Sequence, residues 1–125
     1  MAIIGIGTDL ARSERFRKFL DPDNQVLNRI FSDEERRYSL QKRDPVHHLA
    51  ARFAAKEAFL KALGTGLRNG LAWRQICVVL DSLGCPSLEL SDRAAELMIE
   101  RGANKVHLSY SHDGDYAVAT VILED

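Results

Sequence analysis

One segment limits this chain more than any other: a long apolar run opened by Asp44-Pro45 and closed by Gly64. An aspartate at a helix start accepts from free amides, and the fixed φ of proline suits the first helical position. Glycine readily takes the left-handed conformation that ends helices. Between these signals Val46, Leu49, Phe53, Leu60 and Leu63 recur at helical spacing, so one long helix to Leu63 with a buried stripe is expected. The rest of a 125-residue chain must pack around it.

Upstream, Ala2 to Thr8 reads as a buried strand and Arg12 to Leu20 as a short helix, with a turn at Asp21-Pro22-Asp23. Ser32-Asp33-Glu34-Glu35 has the form of a capping box opening a helix to about Lys42. Downstream the period changes. Trp73 to Leu80 reads as a strand, Asp81 to Pro86 as a turn and Ser87 to Leu90 as another strand. Ser91 is expected to cap a helix ending at Gly102. Lys105 to Ser111 alternates, and Asp113-Gly114 turns the chain into Tyr116 to Leu123, a hairpin signal. This order predicts an α+β class with a mostly antiparallel sheet, rather than a doubly wound βαβ array. No repeat or linker divides residues 1–125, so a single domain is expected.

Composition excludes several functions. No apolar run approaches the roughly 18 residues that span a membrane. The opening Met1-Ala2-Ile3-Ile4-Gly5 lacks a basic region and a cleavage site, so it is not read as a signal peptide. Two cysteines, Cys77 and Cys85, are too few for a disulfide framework, and a cytoplasmic location is expected. The charge is uneven. Residues 1–63 carry 12 Lys and Arg against 9 Asp and Glu, a balance of +3, and residues 64–125 carry 5 against 9, a balance of −4. That split can steer an acidic partner toward the first half, although solvated helix faces would look the same. A pI near 6.4 and the lack of a basic stripe with aromatics argue against nucleic acid.

Two carboxylates stand out. Asp9 follows the apolar strand in Gly5-Ile6-Gly7-Thr8-Asp9, where it can ligate a metal or simply cap the next helix. The two glycines allow something to approach the backbone closely. Glu57 lies four residues after Phe53 and three before Leu60, on the buried stripe. A bare buried carboxylate is costly, so it should meet a cation or strong donors. An ion pair with Lys61 at i+4 would satisfy it, as would a metal. Asp9 and Glu57 together suit Mg²⁺, which takes one or two carboxylates plus water and phosphate oxygens. No cysteine or histidine spacing offers a zinc site, because His47 and His48 are adjacent and point different ways on a helix.

Two polar segments remain. Gly64-Thr65-Gly66-Leu67-Arg68-Asn69-Gly70 follows a helix instead of opening one, and its third glycine comes one residue late for a dinucleotide fingerprint. Its amides can form an anion nest beside Lys61 and Arg68, or be a plain helix exit. By strand alternation His107, Ser109 and Ser111 share one face, either solvated or in contact with a phosphate or sugar. Ser111-His112-Asp113 is no triad, since sequential neighbours cannot converge on one centre.

The residues also resemble a known family. Gly5-Ile6-Gly7-Thr8-Asp9-Leu10 is similar to the first signature of the 4′-phosphopantetheinyl transferases. The run Arg52-Phe53-Ala54-Ala55-Lys56-Glu57-Ala58-Phe59-Leu60-Lys61-Ala62-Leu63-Gly64-Thr65-Gly66 resembles the second, which is long and specific. Their separation resembles that of the short single-domain members, the holo-acyl-carrier-protein synthases, and His107 to His112 resembles a strand near the C-terminus of those proteins.

The resemblance implies a phosphopantetheinyl transferase fold and transfer of 4′-phosphopantetheine from coenzyme A to a serine of an acyl carrier protein, in fatty acid biosynthesis. It implies Mg²⁺ on Asp9 and Glu57, and coenzyme A phosphates on Lys61, Gly64, Thr65 and Gly66. It places His107 and Ser109 near the nucleotide's phosphate end, and Arg15 and Arg12 on the face that docks the carrier protein. It implies a homotrimer with sites between subunits. Two alternatives remain: a non-catalytic module binding coenzyme A or a carrier protein, and a metal-dependent nucleotide hydrolase.

Overall fold

Helix α3 (Pro45–Leu63) is the element on which the others are laid. In the computed structural model, which describes all residues from Met1 to Asp125, its ends form as their residues dictate. The Asp44 side chain accepts from the Val46 amide, Pro45 fills the first turn, and Gly64 closes the helix at φ 79°. Burial extends well beyond the expected stripe. Ala50, Ala54, Ala58 and Ala62, spaced at i+4, are all buried as a row of small side chains.

That row receives strand β1 (Ile3–Arg12). A Cβ on Gly7 would overlap the Ala58 carbonyl, and a Cβ on Gly5 would overlap the Ala62 carbonyl. Two residues of strand advance about 6.6 Å and four residues of helix about 6.0 Å, so the two small-residue rows stay in step. The close approach allowed by the glycines is therefore that of the chain's own helix.

Strand β1 forms one edge of a three-stranded antiparallel sheet ordered β1-β5-β4, with β4 (Lys105–Asp113) and β5 (Tyr116–Glu124) joined by the expected hairpin. Its inner positions, Gly5, Gly7, Asp9 and Ala11, alternate with outer ones, Ile6, Thr8, Leu10 and Arg12. The strand is longer than expected. Pairing with β5 continues through Asp9 opposite Ala119 to Arg12 opposite Tyr116, so Asp9 lies within the strand rather than at its end.

Other boundaries shift for local reasons. Residues Ser13–Leu20 form a 3₁₀ helix with Ser13 and Phe16 buried. Helix α1 (Val26–Ile30) was not expected, because five residues are too few to show a helical period. Helix α2 (Asp33–Leu40) opens with both bonds of the capping box between Ser32 and Glu35. Residues Trp73–Gln75 make a 3₁₀ turn, and only Ile76–Leu80 is strand β2, paired antiparallel with β3 (Pro86–Leu90) in a second sheet. Helix α4 (Asp92–Glu100) starts at Ser91, which makes no side-chain cap bond.

The apolar core is one cluster running from Ala11 and Phe16 through α3 to Leu123. Inside it lies an ion pair. The Lys56 ammonium donates to Glu35 Oε1 at 2.8 Å, to the Trp73 carbonyl at 3.1 Å and to the Ile76 carbonyl. Glu35 Oε2 accepts from the Val78 amide at 2.9 Å. Both side chains are fully buried, and together they tie α2 and β2 to α3.

Candidate functional site

The register of β1 on α3 brings Asp9 to Lys61. The Lys61 ammonium donates to Asp9 Oδ1 at 2.9 Å and to the Thr8 carbonyl at 3.0 Å. The lysine thus pairs with Asp9 rather than with Glu57, its i−4 neighbour. Glu57 is half-buried on the same helix. Burial pushes its carboxyl upward, the Asp9 charge pushes it the same way, and Lys61 and Arg15 partly offset both. Asp9, Glu57, Lys61 and Arg15 therefore share one electrostatic neighbourhood.

Arg15 reaches this place from the 3₁₀ helix. Its guanidinium lies 5.5 Å from the Phe53 ring centroid and 5.9 Å from that of Phe16. Phe53 is one turn before Glu57 and packs at tilted angles between Phe16 and Trp73. Arg12 is exposed on the outer face of β1, away from Asp9.

The glycine loop leaves α3 about two turns beyond Glu57. Gly64 donates its amide to the Leu60 and Lys61 carbonyls, closing the helix, and Gly66 has φ 65°. The amides of Thr65, Gly66 and Leu67 donate to no backbone carbonyl. The Thr65 hydroxyl donates to the Gly66 carbonyl at 3.0 Å. Free amides beside a lysine suit an anion.

The donor set fits a hard divalent cation. Two carboxylates sit close enough that the Asp9 charge raises the Glu57 carboxyl, and the donors are oxygen only. No group of three or more His, Cys, Asp or Glu side chains is clustered for a metal. An ion held here would complete its shell with water and substrate oxygens, as Mg²⁺ does.

His107 and Ser109 are not brought to this place within one chain. They lie opposite Ile122 and Thr120 on the outer face of the sheet, whereas Asp9 lies on the inner face. His107 sits 3.2 Å from Glu124, and Thr120 bonds Thr8 across the sheet at 3.1 Å.

Two features escaped the sequence reading. His47 and His112 stack at 5.7 Å, joining α3 to the β4–β5 hairpin, which no spacing between them announced. Arg52 is buried, donates to the His48 carbonyl at 3.2 Å and lies over the Tyr38 ring, leaving its Nε unpartnered. It lines a cleft of about 390 Å³ with Glu34, Tyr38 and Asp81. Its signal was a cation immediately before Phe53 in an otherwise apolar segment.

Comparison with known proteins decides the family. Residues 5–121 match the 4′-phosphopantetheinyl transferase superfamily. The chain belongs to that family. Its phosphopantetheinyl transferase relatives include a holo-[acyl-carrier-protein] synthase of Trichlorobacter lovleyi, 56% identical over 98% of both chains. Another, from Yersinia pestis, is 46% identical over 99% of both. Among solved structures, the holo-[acyl-carrier-protein] synthase of Neisseria meningitidis superposes with a TM-score of 0.88 at 38% identity, covering 99% of this chain and 100% of that one. The Bacillus anthracis synthase, solved in complex with CoA (3′,5′-ADP), gives 0.80 at 36%, covering 98% and 96%. The expected transferase fold and the reading of the chain as a phosphopantetheinyl transferase of the holo-acyl-carrier-protein synthase type are borne out. No helix is long and apolar enough to cross a membrane.

Proposed function

We propose that this single-domain transferase moves 4′-phosphopantetheine from coenzyme A to a serine of an apo-acyl carrier protein, with Asp9 and Glu57 holding Mg²⁺. The observation that carries the reading is the convergence of Asp9, Glu57 and Lys61 beside a loop with free amides. When bound, the ion would offset negative charge on the pyrophosphate oxygens. The serine oxygen attacks the β-phosphorus, the bond from that phosphorus to the bridging oxygen breaks, and 3′,5′-adenosine bisphosphate leaves.

The chain's own residues divide the work. Lys61 holds Asp9 in the free enzyme and turns to the phosphate oxygens when substrate arrives. The amides of Thr65 and Gly66 bind the same anion. Glu57, whose burial and neighbouring charge favour protonation, accepts the serine proton. Most of the acceleration is positioning and electrostatics.

The outer sheet face supports a homotrimer with sites between subunits. Ile6 and Leu10 are 64% and 60% exposed there, beside Tyr116 and Val118. An apolar face of that kind marks an interaction surface. His107 and Ser109 lie on the same sheet face, so burying it against another copy would carry them toward that copy's site. Arg15, Lys18 and, less directly, Arg12 present positive charge to an acidic carrier protein. The two free cysteines fit a cytoplasmic location.

The test is a mass measurement on apo-carrier protein incubated with the enzyme, coenzyme A and Mg²⁺. A carrier heavier by one phosphopantetheine is expected. Cleaved coenzyme A with an unchanged carrier would indicate a hydrolase, and no change in either would indicate a binding module.

A further inference from the structure

The glycine loop has two ends, and only one is explained by the site. At Gly64 it is held by the terminus of α3. At the other end the chain passes through Asn69 and Gly70, both with positive φ, 60° and 85°. The Leu71 amide closes this turn on the Arg68 carbonyl at 3.2 Å, and Asn-Gly suits positive φ at both central positions. From outside, the turn is tied down by one side chain on α4. Arg93 Nε donates to the Asn69 carbonyl at 2.9 Å, and the Arg93 Cγ lies 3.4 Å from where a Cβ on Gly70 would be.

The guanidinium is itself held. Arg93 Nη1 donates to Glu96 Oε1 and to Glu100 Oε1, each at 3.1 Å. These carboxylates, one and two turns along α4, fix the fork so that Nε faces the loop. Leu71 is buried immediately beyond. Between Gly64 and Asn69, Thr65 to Arg68 are held by three further bonds: the Thr65 hydroxyl to the Gly66 carbonyl, the Arg68 amide to the Gly66 carbonyl at 3.0 Å, and the Leu71 amide to the Arg68 carbonyl at 3.2 Å.

We infer that Arg93 is a positioning residue for the transferase reaction. It anchors the far end of the glycine loop, so that the free amides of Thr65 and Gly66 are pre-organised for the coenzyme A phosphates. This rests on the reading that the loop binds those phosphates. Arg93 touches no reacting atom, so its loss acts on substrate affinity rather than on the chemical step. A ligand that must first order its loop binds more weakly by the cost of that ordering.

The experiment compares the parent with Arg93→Met and Arg93→Lys. It measures steady-state kinetics and hydrogen exchange of the loop amides, with and without coenzyme A. In Arg93→Met the amides from Gly66 to Leu71 should exchange faster. KM for coenzyme A should rise about fivefold, the size expected for one lost hydrogen bond, with kcat within about twofold. Arg93→Lys retains a donor that reaches the Asn69 carbonyl and should recover part of both effects. Unchanged exchange in Arg93→Met would overturn the inference by itself. Equal defects in both variants would place the effect in α4 and overturn it too. Coenzyme A that fails to protect the loop amides of the parent would overturn the underlying reading, and the inference with it.

Discussion

Helix α3 contributes two lysines, five residues apart, to two carboxylate pairs of nearly equal length and opposite burial. Lys56 meets Glu35 at 2.8 Å with both side chains fully buried. Lys61 meets Asp9 at 2.9 Å with the lysine 52% and the aspartate 16% exposed. In the first pair every donor and acceptor is committed to backbone or partner: two carbonyls, two amides and the ion pair itself. Nothing is left over to exchange with a ligand. In the second pair, water and substrate can reach the ammonium, and a second carboxylate waits nearby without a bonded partner of its own. Two lysines on one helix thus sit in a sealed structural clamp and in an open pair at the proposed site, the difference being burial. Breaking the pairs separately should separate stability from activity.

The largest effect is expected in the clamp. Glu35→Ala leaves the Lys56 ammonium buried and unpaired and should cost about 3–5 kcal/mol, read from chemical denaturation. Replacing both members with apolar residues should recover much of this loss, since the penalty lies in the orphaned charge. Breaking the exposed pair should do the reverse. Lys61→Met should shift stability by less than about 1 kcal/mol, yet lower turnover by roughly 100-fold or more. A comparable stability loss in the two variants would erase the distinction.

A third variant tests whether the exposed pair depends on the backbone beneath it. Gly7→Ala touches neither Asp9 nor Lys61, but its Cβ would overlap the Ala58 carbonyl. The strand must lift from α3, at a cost of about 1–3 kcal/mol. Activity should fall further than stability does, because the lift carries Asp9 away from Lys61. Thermal melts and kinetics on one preparation would check this.

The smallest effect concerns pH. Glu57 has its folded-state pKa raised, first by burial and then by the Asp9 charge. A carboxyl raised in this way stabilises the fold fully below the ordinary glutamate range and loses that contribution as pH rises through its folded pKa. Without a bound divalent ion, Glu57→Gln should therefore melt slightly higher than the parent at neutral pH, with the gap closing as the solution is acidified. The same variant should lose turnover far more than coenzyme A binding. Equal loss of both would make Glu57 a ligand only, not the base.

What the sequence made legible follows from the range of each signal. The ends of α3, the capping box at Ser32 and the β4–β5 hairpin are local, so Asp44-Pro45, Gly64, Ser32 and Asp113-Gly114 announced them. The extent of β1 was not local. Its partner strand β5 begins more than a hundred residues later, and only that pairing extends it past Asp9 to Arg12. The carboxylates were nameable from Asp9's strand context and Glu57's place on an apolar stripe. Which of them Lys61 would bond was not, because helical spacing favoured Glu57 and only the packing of Gly5 and Gly7 on α3 delivers Asp9. Arg93 was invisible for the same reason: its carbonyl partner lies 24 residues away in a loop without a period.

The most direct test of the account is a Mn²⁺ titration of the enzyme in the presence of coenzyme A, read by electron paramagnetic resonance and repeated on Asp9→Asn and Glu57→Gln. One tightly bound ion per chain is predicted for the parent, with that site lost in both variants. A site that survives either substitution unchanged would contradict a cation shared between Asp9 and Glu57.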